Sequence, residues 1–294
     1  MKHKNGNSIT SNIFDVFNTS LMILLCMTML YPFIYVISLS LGGGNDIMAA
    51  FDFTSRELTL KGYQLVFGSR YIMTGFVNTL VRVGMGTLLS IIAVLFAAYP
   101  LSKKYFPNRN FWTLFIVFTM FFSGGLIPNY ILMKNLNLIN SVWVLVLPGL
   151  IPTFYMLIAR NYFQSLPESL EESARIDGAN DFIILFRIII PVSLPIIATV
   201  VLWVVVGHWN AWFDAMIYIN SPRKQVLQVI LRGIVILGTF ENLEMSNISG
   251  QSNIVPPEAV KAATIIVATI PILAFYPFVQ KYFVKGIMIG SLKG

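Results

Sequence analysis

Six stretches of this chain run almost without interruption through apolar residues, at approximately Val16–Leu41, Asn78–Leu101, Phe111–Met133, Val142–Arg160, Ile188–Trp212 and Ala259–Gln280. A bilayer's hydrocarbon core is ~30 Å thick and takes about 20 helical residues to cross, so each stretch is long enough to span it. In lipid the backbone must satisfy its own hydrogen bonds, which leaves only helices and closed barrels. Barrel strands alternate in polarity, whereas these runs are continuous. The expectation is an all-α, polytopic membrane bundle of six transmembrane helices, with residues 1–294 forming a single domain.

Composition agrees. Charged residues make up 11% of the chain, hydrophobic ones 56%, and the mean hydropathy is +0.74. A water-soluble fold usually carries about 25% charge. The net charge of +7 does not point to nucleic acid, because the basic residues are scattered through short loops and not lined along one face. Cys26, the lone cysteine, sits in the first span, which excludes an internal disulfide and a thiolate metal site. The bulky Leu25 before it does not fit a processed signal, so the first span reads as a retained helix.

Basic residues in short loops set orientation. The connection Tyr99–Asn110 holds Lys103, Lys104 and Arg109 with no acid, and both termini carry lysines (Lys2, Lys4, Lys281, Lys285, Lys293). The expectation is a cell-membrane protein with both termini in the cytoplasm and long outer loops at Gly42–Val77 and Asp214–Glu258. Arg82, one turn into the second span, reads as snorkelling to the outer surface. Helix punctuation is dense from the third span on: Gly124, Gly125 and Pro128, then Pro148 and Pro152, Pro191 and Pro195, Pro271 and Pro277. Each proline removes a hydrogen bond and predicts a kink.

The only dense acidic run lies between Leu166 and Pro191, where Glu168, Glu171, Glu172, Asp177 and Asp181 accompany Arg175 and Arg187. Ser165-Leu-Pro-Glu168 has the spacing of a capping box that starts a short helix. Gly178 suits the left-handed position after a helix end, and Asn180 can cap a second helix from Asp181 to Ile190. The result is a helical hairpin, about residues 165–190, on the cytoplasmic surface. Physics alone permits a plain interfacial connector with solvated acids.

The spacing says more. Glu172-Ser173-Ala174, three residues, Gly178, nine residues, Ile188, one residue, Ile190-Pro191 resembles the EAA motif of ABC transporter permeases of the import type, Glu-Ala-Ala, three, Gly, nine, Ile, one, Leu-Pro. The stretch His208-Trp-Asn-Ala-Trp-Phe-Asp214 and the tail Gln280–Gly294 are similar to the maltose-type carbohydrate permeases, most of all the LplC-like oligosaccharide group. The resemblance implies binding-protein-dependent sugar transport, with a second homologous permease, two ATPase subunits and an extracytoplasmic solute-binding protein as partners. ATP and Mg would be bound by the ATPase, with no cofactor in this chain. The hairpin would be the coupling helix: Glu171, Glu172, Ser173, Ala174, Asp177 and Gly178 at the ATPase, with Ile188 and Pro191 leading into the fifth span.

Trp203, His208, Trp209 and Asn210 crowd the fifth span and are the candidates for contact with a carbohydrate substrate: flat rings for sugar faces, polar groups for hydroxyls. Against this stand an aromatic belt in contact with membrane lipid, the favoured reading for Trp212, and an interhelical hydrogen bond for His208. A proton-coupled secondary transporter or a channel without an ATPase is the alternative. No Asp or Glu falls within the six stretches, no phosphate loop occurs, and the two histidines, His3 and His208, form no catalytic cluster. The chain is expected not to be an enzyme.

Overall fold

The computed structural model describes residues 9–42, 58–237 and 256–291, with side chains described for 11–42, 58–236 and 256–277. Among the described residues every regular element is helical. They are α1 (Ile9–Ser40), α2 (Lys61–Gly68), α3 (Arg70–Ser102), α4 (Arg109–Phe121), α5 (Leu126–Asn135), α6 (Thr153–Gln164), α7 (Ser169–Ile176), α8 (Asp181–Ile184), α9 (Ile190–Val192), α10 (Leu194–Asn210), α11 (Phe213–Tyr218), α12 (Leu227–Leu237) and α13 (Pro257–Ser291). Three of these helices are long and apolar enough to cross a membrane, within α1, α3 and α13. Three bent pairs bring the number of spans to six if each pair crosses as one.

The bends fall where the punctuation predicts, with one exception. The third span breaks after Phe121 and turns by 110° into α5 at Gly124 and Gly125. The fourth begins as two 3-10 turns, Val142–Leu145 and Leu147–Gly149, and bends by 49° into α6 at Pro152. In the fifth, α8 loosens into a π segment, Leu185–Ile189, before α9, and an 84° bend at Ser193 leads into α10. Pro191 has no amide for the Arg187 carbonyl and crowds it, which accounts for the loosened register just before it. The exception is α13, whose backbone continues through Pro271 and Pro277.

The chain gathers into two compact units, residues 1–69 with 239–267, and residues 70–238 with 268–294. In the first, the Ser40 and Tyr63 hydroxyls lie 2.7 Å apart and Thr59 N donates to the Leu41 carbonyl. The second is organised on α3. Its buried stripe runs Ile72, Gly75, Thr79, Arg82, Gly86, Ser90, Val94 and Ala98, spaced by three or four residues along one face. Most of these are small, which lets α6, α10 and α12 come close.

The expected outer loop after Asp214 is partly helical: α11 and α12 occupy it up to Leu237, and the remainder lies outside the described residues. Polar groups fasten this part to α3. Asn78 Nδ2 donates to the Arg223 and Gln225 carbonyls, and Leu227 N donates to Thr79 Oγ1 at 2.8 Å. Asn140, at φ 60°, accepts from the amides of Asn220 and Ser221, and its own amide donates to the Tyr218 carbonyl.

Candidate functional site

Two places in the second unit bring together the residues singled out from sequence. The first is the hairpin. Helix α7 ends in a Schellman arrangement: Gly178 N donates to the Arg175 carbonyl and Ala179 N to the Ala174 carbonyl, with Gly178 at φ +82°. Asn180 Oδ1 then accepts from Ile183 N at 2.9 Å and caps α8. Both features follow the sequence reading.

The start of α7 does not. Ser165 Oγ donates to the Tyr162 carbonyl and its amide to Asn161 and Tyr162, so Ser165 closes α6 and makes no capping box. The last turn of α6 has carbonyls without intrahelical donors, and the Ser165 hydroxyl and amide satisfy two of them. Glu168 occupies the cap position of α7 without a side-chain cap bond and instead pairs with Lys104 at 2.6 Å. That ammonium holds the exposed Glu168 carboxyl below its usual range.

The hairpin's faces differ. Glu171 turns inward and forms an ion pair with Lys103, the two side chains 12% and 11% exposed. Ala174 is buried in an apolar cluster with Ala98, Leu101, Phe163, Ile184 and Ile189. Arg175 Nη2 bridges Asp181 Oδ1 and the Tyr105 hydroxyl, at 2.5 Å each, and lies over the Tyr105 ring. Burial, with Asp181 adding to it, pushes the Tyr105 hydroxyl's pKa up. Facing out are Glu172, Ser173, Asp177, Gly178 and above all Ile176, 87% exposed. Ile188 is half-buried and Pro191 exposed. The outward aim of Ile176 comes from the fold and has no counterpart in the spacing of the acidic run.

The second place is a cavity of about 660 Å³. Its wall includes Phe154, Tyr155, Trp203, His208, Arg82 and Asp214. Trp203 packs beside Tyr155 and Phe154, ring centroids 5.1 and 6.4 Å away, and makes an aromatic shelf. His208 lies against Gly86, so near that a Cβ there would be 2.4 Å from His208 Nε2.

Two candidates do not line this cavity. Trp209 is 3% exposed, donates Nε1 to the Ala268 carbonyl and meets Phe76 edge-on, which makes it a packing residue. Asn210 is exposed at the end of α10. Trp212 sits under the Arg232 guanidinium at 4.1 Å.

Arg82 overturns its sequence reading. It does not snorkel outward: it is 2% exposed and pairs with Asp214 through both Nη atoms, and Nη1 also donates to the Ala211 carbonyl at 3.1 Å. A guanidinium inside apolar surroundings is retained where a carboxylate meets it, and the carboxylate lies 132 positions away, just past the fifth stretch. The absence of acids from the six stretches therefore overlooked a carboxylate at the cavity wall. The signal available was the charge in the second span itself, which demands a partner.

Residues 6–289 match the family described as binding-protein-dependent transport system inner membrane component. This chain belongs to that family. The permease is 38% identical over 294 residues to protein LplC of Bacillus subtilis, covering 99% of each. It is also 38% identical over 285 residues to the polygalacturonan/rhamnogalacturonan transport system permease protein YtcP of the same organism, covering 97% of this chain and 99% of that one. Its fold matches a chain from the crystal structure of a bacterial ABC transporter involved in the import of the acidic polysaccharide alginate, with TM-score 0.85, 31% identity, and 94% and 99% of the two chains covered. The permease is thus a membrane component of an ABC importer, the class that the resemblance stated from the sequence implies.

Proposed function

We propose that this permease serves an ATP-driven importer of a carbohydrate, an oligosaccharide by preference, and forms half of its translocation pathway with a second permease. Two ATPase subunits bind the ATP and Mg, and an extracytoplasmic binding protein delivers the sugar. Both termini and the hairpin lie in the cytoplasm, and residues 1–294 act as one permease domain. The names of the polysaccharide-transporting relatives support the substrate class.

The observation that carries the coupling role is the hairpin's outward edge: Glu172, Ile176, Asp177 and the left-handed Gly178, on a helix fixed by the Schellman turn. An apolar side chain 87% exposed between two acids suits an ATPase cleft with an apolar floor and a basic rim. Glu171 and Ala174 hold the hairpin in place from behind. In the pathway we assign Trp203 with Tyr155 to the sugar's apolar faces and His208 to its hydroxyls.

The test is Gly178→Val. A Cβ at this position meets nothing within 4 Å, so the cost is the left-handed backbone, about 1–2 kcal/mol. ATPase copurification and uptake should fall while membrane abundance and pairing with the partner permease hold. Normal ATPase retention together with normal uptake would reduce the hairpin to a surface connector.

A further inference from the structure

The hairpin connects to the cavity in three ways, and they differ in stiffness. Backward along the chain, residues 165–168 lead into α6, whose first turn carries Phe154 and Tyr155 of the wall. Forward, the chain runs through α8, four residues long, a π segment, α9, three residues long, and an 84° bend at Ser193 before it reaches α10, and a path with that many changes of register and direction absorbs a push by bending. The third is non-covalent: contacts that tie the hairpin to the end of α3, and α6 to α3 as well. Lys103, the residue after α3, pairs with Glu171 where both side chains are nearly buried, with Tyr99's ring 4.7 Å from the ammonium. Tyr105 donates to Asp181 at 3.2 Å and takes Arg175 on its hydroxyl. Beneath these contacts Ala174 shares an apolar cluster with Ala98 and Leu101 of α3, and Arg160 Nε of α6 donates to the Leu101 carbonyl at 3.0 Å.

Helix α3 then runs continuously for 33 residues, with Pro100 confined to its last turn. Position 82 lies 21 residues from Lys103, about 30 Å along the axis at 1.5 Å per residue. There Arg82 holds the ends of the broken segments, through Asp214, the Ala211 carbonyl and the more distant Leu145 carbonyl, and one turn on Gly86 touches His208. The continuous helix therefore carries both the clamp to the hairpin and the grip on the cavity wall.

We infer that Lys103 is a positioning residue for coupling: through Glu171 it makes the hairpin and α3 one rigid body, so that a displacement of the hairpin reaches the cavity through α3. This rests on the hairpin being the ATPase-docking element. A rigid element with two arrangements is the physical basis for passing free energy between distant sites.

The experiment uses the full importer, with Lys103→Gln, Glu171→Gln and the exchange Lys103→Glu with Glu171→Lys. Three quantities are read: ATPase copurification, ATP hydrolysis with and without loaded binding protein, and uptake. Each single variant should keep the ATPase bound and hydrolysing, while uptake per ATP falls about tenfold, within the 5–150-fold that coupling free energies commonly span. The exchange should restore it. A docking residue would lose the ATPase itself, so loss of copurification in step with uptake would overturn the inference, as would wild-type uptake per ATP in both single variants, or an exchange no better than either. For variants that accumulate poorly, Lys103→Cys with Glu171→Cys in a Cys26→Ser background is joined by a short bifunctional thiol reagent after assembly. A rigid body continues to transport when joined, and arrest of transport would refute it. If the unaltered permease retained no ATPase, or if Gly178→Val left both association and uptake untouched, the docking reading would fail and the coupling role of Lys103 with it, whereas the outcomes above overturn that role while docking stands.

Discussion

Removing Asp214 should damage this permease more than removing Arg82, although they are two halves of one ion pair. Asp214→Ala leaves a guanidinium that is 2% exposed with only two carbonyls for company, those of Ala211 and Leu145. Breaking a buried pair from one side costs about 3–5 kcal/mol, because the remaining charge stays desolvated. The Asp214 side chain is 32% exposed, so part of the loss is recovered when water reaches the vacated space, and the lower end, about 3 kcal/mol, applies. In Arg82→Met the stranded group is the carboxylate. It is one-third exposed and still accepts from the Ala215 amide at 2.8 Å, so hydration and that bond hold the cost to about 1–2 kcal/mol. The double variant Arg82→Met with Asp214→Ala removes both charges and should regain most of the Asp214→Ala loss, since apolar replacements of buried pairs are often neutral or better. Thermal unfolding of detergent-purified permease across the four proteins closes a double-mutant cycle. Equal destabilisation by the two single substitutions, or a double variant as unstable as the sum, would refute the view that a desolvated charge governs this site.

Gly86→Ala places a methyl group within 2.4 Å of His208 Nε2; it should turn the imidazole aside and change uptake, with ATPase copurification intact. Trp203→Ala should lower uptake of the transported sugar more than Trp209→Ala at equal membrane abundance, and the reverse order would remove the aromatic shelf from the pathway. In a Cys26→Ser background, Asn108→Cys should resist a membrane-impermeant thiol reagent in intact cells and Arg223→Cys should react; labelling of position 108 from outside would invert the orientation. Uptake should persist when the proton gradient is dissipated at constant ATP, and immediate loss would favour a secondary transporter.

What could be read from the chain depended on how far apart the interacting groups lie. The spans were legible because apolar length is a local property, and the breaks at Gly124–Gly125 and Pro152 because glycine and proline act on their own turn. Gly178 and Asn180 announced the hairpin's turn for the same reason, each satisfying amides or carbonyls within a few residues. Ser165 was misread because two helices competed for one hydroxyl, and spacing does not record which end is nearer closure. Pro271 shows the converse: a helix can carry a proline through, so the residue predicts a kink only where neighbours do not re-satisfy the freed carbonyl. Arg82 with Asp214 and Lys103 with Glu171 were invisible as pairs, since only the packing of α3 brings those positions together. Trp209 and Trp203 are alike in sequence; their difference is which side of α10 each occupies.

The distance in sequence between Arg82 and Asp214 has a consequence for how the chain is made. Synthesis proceeds at ≈ 5–20 residues per second, so the 132 positions between them take about 7 to 26 s to emerge. Throughout that interval α3 is already available for insertion with an arginine that its neutralising carboxylate has not reached. Arg at the very centre of an inserting helix costs about 2.5–3.5 kcal/mol; Arg82, nearer one end of its apolar stretch, costs less than that, and the apolar run Leu88–Leu101 must outweigh it unaided. Arrival of Asp214 then converts a reversible lodging into a fixed one. Chains halted before residue 214 should accordingly show α3 slipping from the bilayer more often than chains halted just after it, and Arg82→Leu should abolish the difference.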